Sequence, residues 1–113
     1  MIVDSLAEKT CTPCRGGIPP LIPEEAKRFS VQAPDWQILD DAHRIERRFS
    51  FRDFRGALNF VQKVGEIAEN EGHHPDVNFG WGYATISLQT KKIKGLHEND
   101  FIMAVKIDRL ASV

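Results

Sequence analysis

The sequence predicts an α+β fold, a four-stranded antiparallel sheet with helices on one face, in the order helix, two strands, helix, two strands, helix. Three observations carry this expectation. Residues alternate with period two from His43 to Phe51 and again from Gly82 to Thr90, while apolar residues recur at steps of three and four from Phe54 to Ala68. Gly, Pro and Asp clusters punctuate the boundaries.

Residues 1–21 are rich in Thr, Cys, Gly and Pro and end on Gly16-Gly17-Ile18-Pro19-Pro20, so they read as an irregular arm ahead of a single domain over 22–113. Pro23-Glu24-Glu25 suits a first helical turn, where a missing N–H costs nothing and negative charge favours the dipole; a short helix over about 23–31 follows. Asp35–Leu39 and His43–Phe51 read as a hairpin around the turn-prone Asp40-Asp41. In its second strand Ile45, Arg47, Phe49 and Phe51 share a face, with Arg47 out of place among apolar neighbours.

Phe54, Ala57, Leu58, Val61, Val64, Ile67 and Ala68 make the stripe of a helix over about 53–70, which Gly72 is placed to end. Asp76–Phe79 and Gly82–Thr90 follow as strands, the second with Ala84, Ile86 and Leu88 on one face and Tyr83, Thr85, Ser87 and Gln89 on the other. That second face is only moderately polar and leaves room for contact between subunits. After a basic loop over 91–95, Glu98-Asn99-Asp100 opens a last helix whose Phe101, Ala104, Val105 and Asp108 share one side.

With 113 residues, 42% hydrophobic and 27% charged, the chain has the make-up of one soluble domain and is too apolar for a disordered one. A formal charge of -1 gives no electrostatic reason to seek nucleic acid or an anionic membrane. The first residues hold no apolar run of the signal-peptide kind, and no segment approaches the ~20 apolar residues of a membrane span, so a cytoplasmic location is expected.

Both cysteines lie in Cys11-Thr12-Pro13-Cys14, which argues against a disulfide framework. The pair could supply half a zinc site, with the other ligands coming from elsewhere, or simply remain reduced in an ordered arm. A thioredoxin-like role is disfavoured because Arg-Gly-Gly-Ile-Pro-Pro after Cys14 cannot form the helix that role needs. Arg44, Arg47, Arg48, Arg52 and Arg55, with Lys91, Lys92 and Lys94, form basic stretches, but Glu46 and Asp53 interrupt them and a solvated face is the simpler reading.

His73-His74-Pro75 stands where the long helix hands over to a strand, and rigidly held loops of this kind are favoured places for catalytic groups. An imidazole titrates near neutral pH, so one ring can accept a proton while the other donates one or holds a ligand. Two adjacent histidines alone are equally at home as a hydrogen-bonded helix end. The surrounding spacing narrows the reading: Glu69 lies four residues before His73, Trp81 six after Pro75, and Asp100 starts the last helix.

This pattern, together with the run from Gly95 to Asp108, resembles the pterin-4a-carbinolamine dehydratase family over about residues 20–110. The resemblance implies loss of water from a 4a-hydroxytetrahydropterin to give a quinonoid dihydropterin, in support of tetrahydropterin recycling. It also implies a cytoplasmic homodimer or homotetramer that acts on a small pterin with no organic cofactor or catalytic metal. Carried over by position, His73 is the acid/base, His74 the imidazole that positions ligand, and Glu69 the group that orients one of them. Pro75, Trp81 and Asp100 complete the substrate-binding set, and Phe79 and Trp81 could pack near the ring. The family commonly has a third histidine ten residues after the aromatic that corresponds to Trp81. Here that position is Lys91, a protonated donor able to steady a leaving hydroxyl. His97 is a tempting substitute, although its place at a helix start suits a hydrogen-bonding role. Two alternatives stay open: a catalytically weak relative that serves protein binding or assembly, and a dehydratase for another pterin, as in molybdenum-cofactor metabolism.

Overall fold

A computed structural model of the chain describes residues 5–12 and 16–111. Its elements are α1 (Pro23–Ser30), β1 (Gln37–Leu39), β2 (Arg44–Ser50), α2 (Phe54–Glu71), β3 (Asp76–Gly80), β4 (Tyr83–Leu88) and α3 (Glu98–Ala111). Short 3-10 turns lie at Leu6–Glu8 and Lys91–Ile93. The strands form one antiparallel sheet in the order β1-β2-β4-β3, so the two hairpins meet along β2 and β4. The α+β expectation holds, element for element.

The sequence sets the ends of α2 clearly. Asp53 takes the N–H of Gly56 on its side chain at 2.8 Å, satisfying one of the donors a helix start leaves free. Gly72 at the other end is left-handed (φ 67), the conformation that turns a chain out of a helix and that glycine adopts without a Cβ clash. Between them Ala57, Phe60, Val64 and Ala68 are buried against the sheet.

Ile45 and Phe49 from β2 and Ala84, Ile86 and Leu88 from β4 form the sheet's share of the core, which Phe101, Met103, Ala104 and Ile107 of α3 cover together with α2. Each large side chain here contributes about 1.5–3 kcal/mol by leaving water. Ile86 sits mid-sheet opposite both Arg47 and Val77 and is fully buried, so truncating it to alanine costs about 2–5 kcal/mol.

Arg47, the charge that disturbs the apolar face, is neutralised from α3. Its guanidinium donates to Asp108 Oδ1 at 2.7 Å and lies 4.3 Å over the Phe49 ring, while Trp36 Nε1 donates to the same oxygen at 2.8 Å. Periodicity assigns Arg47 and Asp108 to inward faces separately; only the fold brings them together.

Before α1, the described residues of the N-terminal arm are docked. Leu6 is 1% exposed and its N–H donates to Gln32 Oε1 at 2.9 Å, so the 3-10 turn packs against α3 as part of the core. The Asp40-Asp41-Ala42 turn takes three consecutive left-handed residues (φ 54, 54 and 65), a conformation disfavoured for non-glycine residues and steadied here by the Asp40 carboxylate on Arg44 Nε at 2.8 Å.

Candidate functional site

Because Gly72 turns the chain at the end of α2, the two neighbouring histidines part company. The His73 N–H closes the helix by donating to Ala68 O at 3.3 Å, and its ring goes inward, leaving the residue 8% exposed. The His74 side chain points out and is 60% exposed. Pro75, partly buried, follows at once and leads the backbone into β3.

His73 meets Asp100, which is fully buried in the first turn of α3. His73 Nε2 lies 2.6 Å from Asp100 Oδ1, and Asp100 Oδ2 accepts both Thr90 Oγ1 at 2.8 Å and the His97 N–H at 3.0 Å. An ionised carboxylate only accepts, so three donors converge on it and the His73 proton sits on Nε2. Nδ1 of that ring has no partner among the described residues. No buried side-chain nitrogen or oxygen there lacks one, so Nδ1 is the nitrogen that meets solvent. The result is an imidazole fixed from behind with one lone pair presented outward, the arrangement a general base needs.

The helix start explains why Asp100 can do this. His97 Nδ1 accepts the Asn99 N–H at 3.0 Å while Asp100 accepts the His97 N–H, a reciprocal cap in which a histidine stands where Ser or Thr usually does. His97 therefore has the hydrogen-bonding role that a helix start suggests. Thr90, buried beside Asp100, is the participant that sequence reading missed. Its signal was available only as a hydroxyl next to the substituted Lys91 position.

Glu69, one turn back on α2, pairs with His74: Oε2 lies 2.5 Å from His74 Nε2, with both side chains largely in water. Of the two histidines, Glu69 thus orients the outer one. Lys91 Nζ lies 3.5 Å from Asp76 Oδ1, again at the surface, immediately after Thr90. Trp81, 71% exposed, stands at the tip of the β3–β4 hairpin, and five residues of strand at about 3.3 Å each put it roughly 17 Å from the His74 end of β3. Phe79 packs against Phe54, with ring centroids 5.7 Å apart and the planes tilted by 31°. Within one chain the structure thus brings together His73, Asp100, His74, Glu69 and, one residue beyond Thr90, Lys91, and leaves Trp81 and Phe79 apart. Asp100, expected among the substrate-binding residues, faces protein donors and is closed to solvent.

No group of three or more His, Cys, Asp or Glu among the described residues is arranged to hold a metal ion. Cys14 lies outside the described residues. Cys11 is half-buried, and burial together with the negative charge of Glu71 pushes its thiol up to about 12. No described helix is long and apolar enough to cross a membrane.

The family described as Pterin 4 alpha carbinolamine dehydratase matches residues 19–110. The chain belongs to this family. A protein of Azoarcus sp. (strain BH72) named "Putative pterin-4-alpha-carbinolamine dehydratase" is 58% identical over 110 residues, covering 97% of this chain and 94% of its own. One of the same name from Rubrobacter xylanophilus is 54% identical over 108 residues, covering 96% of this chain and all of its own (100%). Among solved structures, a transcriptional coactivator/pterin dehydratase from Brucella melitensis superposes with a TM-score of 0.75 at 30% identity, over 81% of this chain and 98% of that one. A pterin dehydratase-like protein identified as a RuBisCO assembly factor in the alpha-carboxysome matches with a TM-score of 0.60 at 26% identity, over 68% and 89% of the two chains.

Proposed function

We propose that the protein is a hydro-lyase that dehydrates a 4a-hydroxytetrahydropterin to the quinonoid dihydropterin, as a cytoplasmic homodimer or homotetramer serving tetrahydropterin recycling. The observation that carries this reading is the His73–Asp100 pair: a buried ring with its proton directed at a carboxylate and its other nitrogen open.

The reaction removes a proton from N5 and hydroxide from C4a of the pterin ring system. The N5–H electron pair becomes the new N5=C4a bond as the C4a–O bond breaks, and the oxygen leaves as water once protonated. His73 Nδ1 is suited to accept the N5 proton, because the imidazolium that results is stabilised at once by the ionised Asp100. His74, joined to Glu69 and exposed to solvent, is suited to position the pterin and deliver the proton to the departing hydroxyl. Lys91 follows Thr90 directly and would steady that oxygen with its ammonium.

The test is to follow breakdown of synthetic 4a-hydroxytetrahydropterin with the purified protein. A wild-type rate no faster than the spontaneous one would remove the dehydratase reading.

A second reading, a module for protein assembly with weak catalysis, is favoured by Lys91 in place of the third imidazole and by the similarity to the RuBisCO assembly factor. A partner recovered equally well by His73→Ala would support it. A third reading, a dehydratase for another pterin as in molybdenum-cofactor metabolism, is tested by offering other 4a-hydroxylated pterins in the same assay.

A further inference from the structure

We propose that residues 9–12 form a strap that positions the His73–Asp100 pair, with Asn99 as its clasp. These residues precede the segment 19–110 that the family match covers.

Asn99 is 2% exposed, and both ends of its amide engage one residue of the strap: Oδ1 accepts the Thr12 N–H at 3.0 Å and Nδ2 donates to Thr12 O at 2.7 Å. A side-chain amide carries a donor and an acceptor side by side, so it can meet a backbone N–H and C=O together without placing a charge in the interior. The Asn99 main-chain oxygen takes the Cys11 thiol at 3.7 Å. Asn99 is the residue before Asp100, so whatever fixes its side chain also fixes the helix turn that aims the carboxylate at His73.

The other end of the pair is held by the same four residues. The Cys11 N–H donates to Glu71 Oε1 at 2.8 Å, and Glu71 Oε2 lies 3.4 Å from Lys106 Nζ on α3. Glu71 is the last residue of α2, two before His73. Lys9 Nζ adds an ion pair with Glu98 Oε2 at 2.5 Å, in the first turn of α3. The strap thus spans the two elements whose separation sets the 2.6 Å contact between His73 and Asp100. Each helix end is held to it by directional bonds, which fix orientation as well as distance.

Only the kinetic readout of the strap rests on the dehydratase reading. The bonds to Thr12 are all to its backbone, which supplies a sharp control. Thr12→Ala keeps them and Thr12→Pro removes the N–H. Asn99→Leu removes both sides of the clasp while keeping the branched shape of the side chain. Wild type, Asn99→Leu, Thr12→Pro and Thr12→Ala are compared in the full chain by imidazole 15N–1H NMR of His73 and by steady-state kinetics. In Asn99→Leu and Thr12→Pro, the His73 Nε2–H resonance moves upfield and exchanges faster with water, and kcat falls about tenfold with KM changed less than about twofold, as expected when a base is displaced from its orienting partner. Thr12→Ala matches wild type in both measurements. An unchanged His73 resonance in Thr12→Pro, or an equal effect from Thr12→Ala, overturns the proposal. Should Asn99→Leu fail to fold, Thr12→Pro decides alone, because it alters only one exposed residue. Should the wild type show no dehydratase activity, the NMR comparison still decides, since it needs no substrate.

Discussion

The two histidines sit side by side in sequence and in opposite environments. His73 is 8% exposed and tied to a carboxylate that is 0% exposed, while His74 and Glu69 form an equally short pair with side chains 60% and 78% exposed. Distance alone would rank them as equals, at 2.6 and 2.5 Å. Burial separates them. A charge-assisted bond screened from water holds one geometry, and losing one partner strands the other, whereas an exposed ion pair contributes at most about 1 kcal/mol because water competes for both groups. The inner pair therefore holds one geometry out of reach of water, while the outer pair stays open to solvent.

This contrast breaks most readily at Asp100. Asp100→Leu leaves His73 Nε2–H, the Thr90 hydroxyl and the His97 N–H without their acceptor, and should lower stability by about 3 kcal/mol or more, read as a fall in the denaturation midpoint. A variant as stable as wild type would mean the buried carboxylate is not the hub described. His73→Ala should cut kcat by at least about 100-fold, the usual scale of a lost general base, and lower stability by less than Asp100→Leu, since Asp100 keeps two of its three donors. Equal losses from His73→Ala and His74→Ala would erase the distinction between inner and outer ring.

At the exposed pair the effects shrink. Glu69→Gln should change kcat/KM by no more than about fivefold, in keeping with a solvent-screened partner, and raised salt should produce a similar change in the wild type. Lys91→Ala tests the substituted position: its side chain is 71% exposed and paired only loosely with Asp76, so a drop of about tenfold in kcat with KM held would sharpen its role at the leaving oxygen. Full activity in that variant would assign Lys91 to the surface.

The smallest effect concerns acid. The Cys11 N–H bond, with help from the charge of Lys106, holds the Glu71 carboxyl below its ordinary value of 4.5. A depressed folded value means that Glu71 contributes stability above pH 4.5 that is lost as pH falls through the lower, folded value. Glu71→Gln should flatten this part of the acid-denaturation profile by lowering stability slightly at neutral pH and leaving it nearly unaltered at acid pH, where the wild-type carboxyl is protonated. The opposite slope would contradict the bond between strap and helix.

The elements themselves were legible because each has a local cause. The alternation of Ala84, Ile86 and Leu88, the stripe from Phe54 to Ala68 and the stop at Gly72 all depend on neighbours a few residues away. The resemblance singled out His73, His74, Glu69 and Asp100, and the structure joins them as two pairs, His73 with Asp100 and His74 with Glu69. Trp81 shows the limit of spacing: six residues after Pro75 it sounds adjacent, but extended strand carries it to the far end of the hairpin. Thr90 and Asn99 gave no sign of their roles, since a lone hydroxyl or amide acquires one only from what it faces.

Periodicity is a property of the local chain, and so the amino-acid order was enough for the α+β succession of elements and for most of the residues that face the core, although Phe54 of the expected stripe is 46% exposed and Phe60 beside it is buried. Packing settled the rest: which histidine is buried, that Arg47 finds Asp108, and that Asp100 gathers His73, Thr90 and His97 around one carboxylate. Those contacts join residues far apart along the chain, and a carboxylate's environment is set by what the fold packs around it, not by its neighbours in sequence.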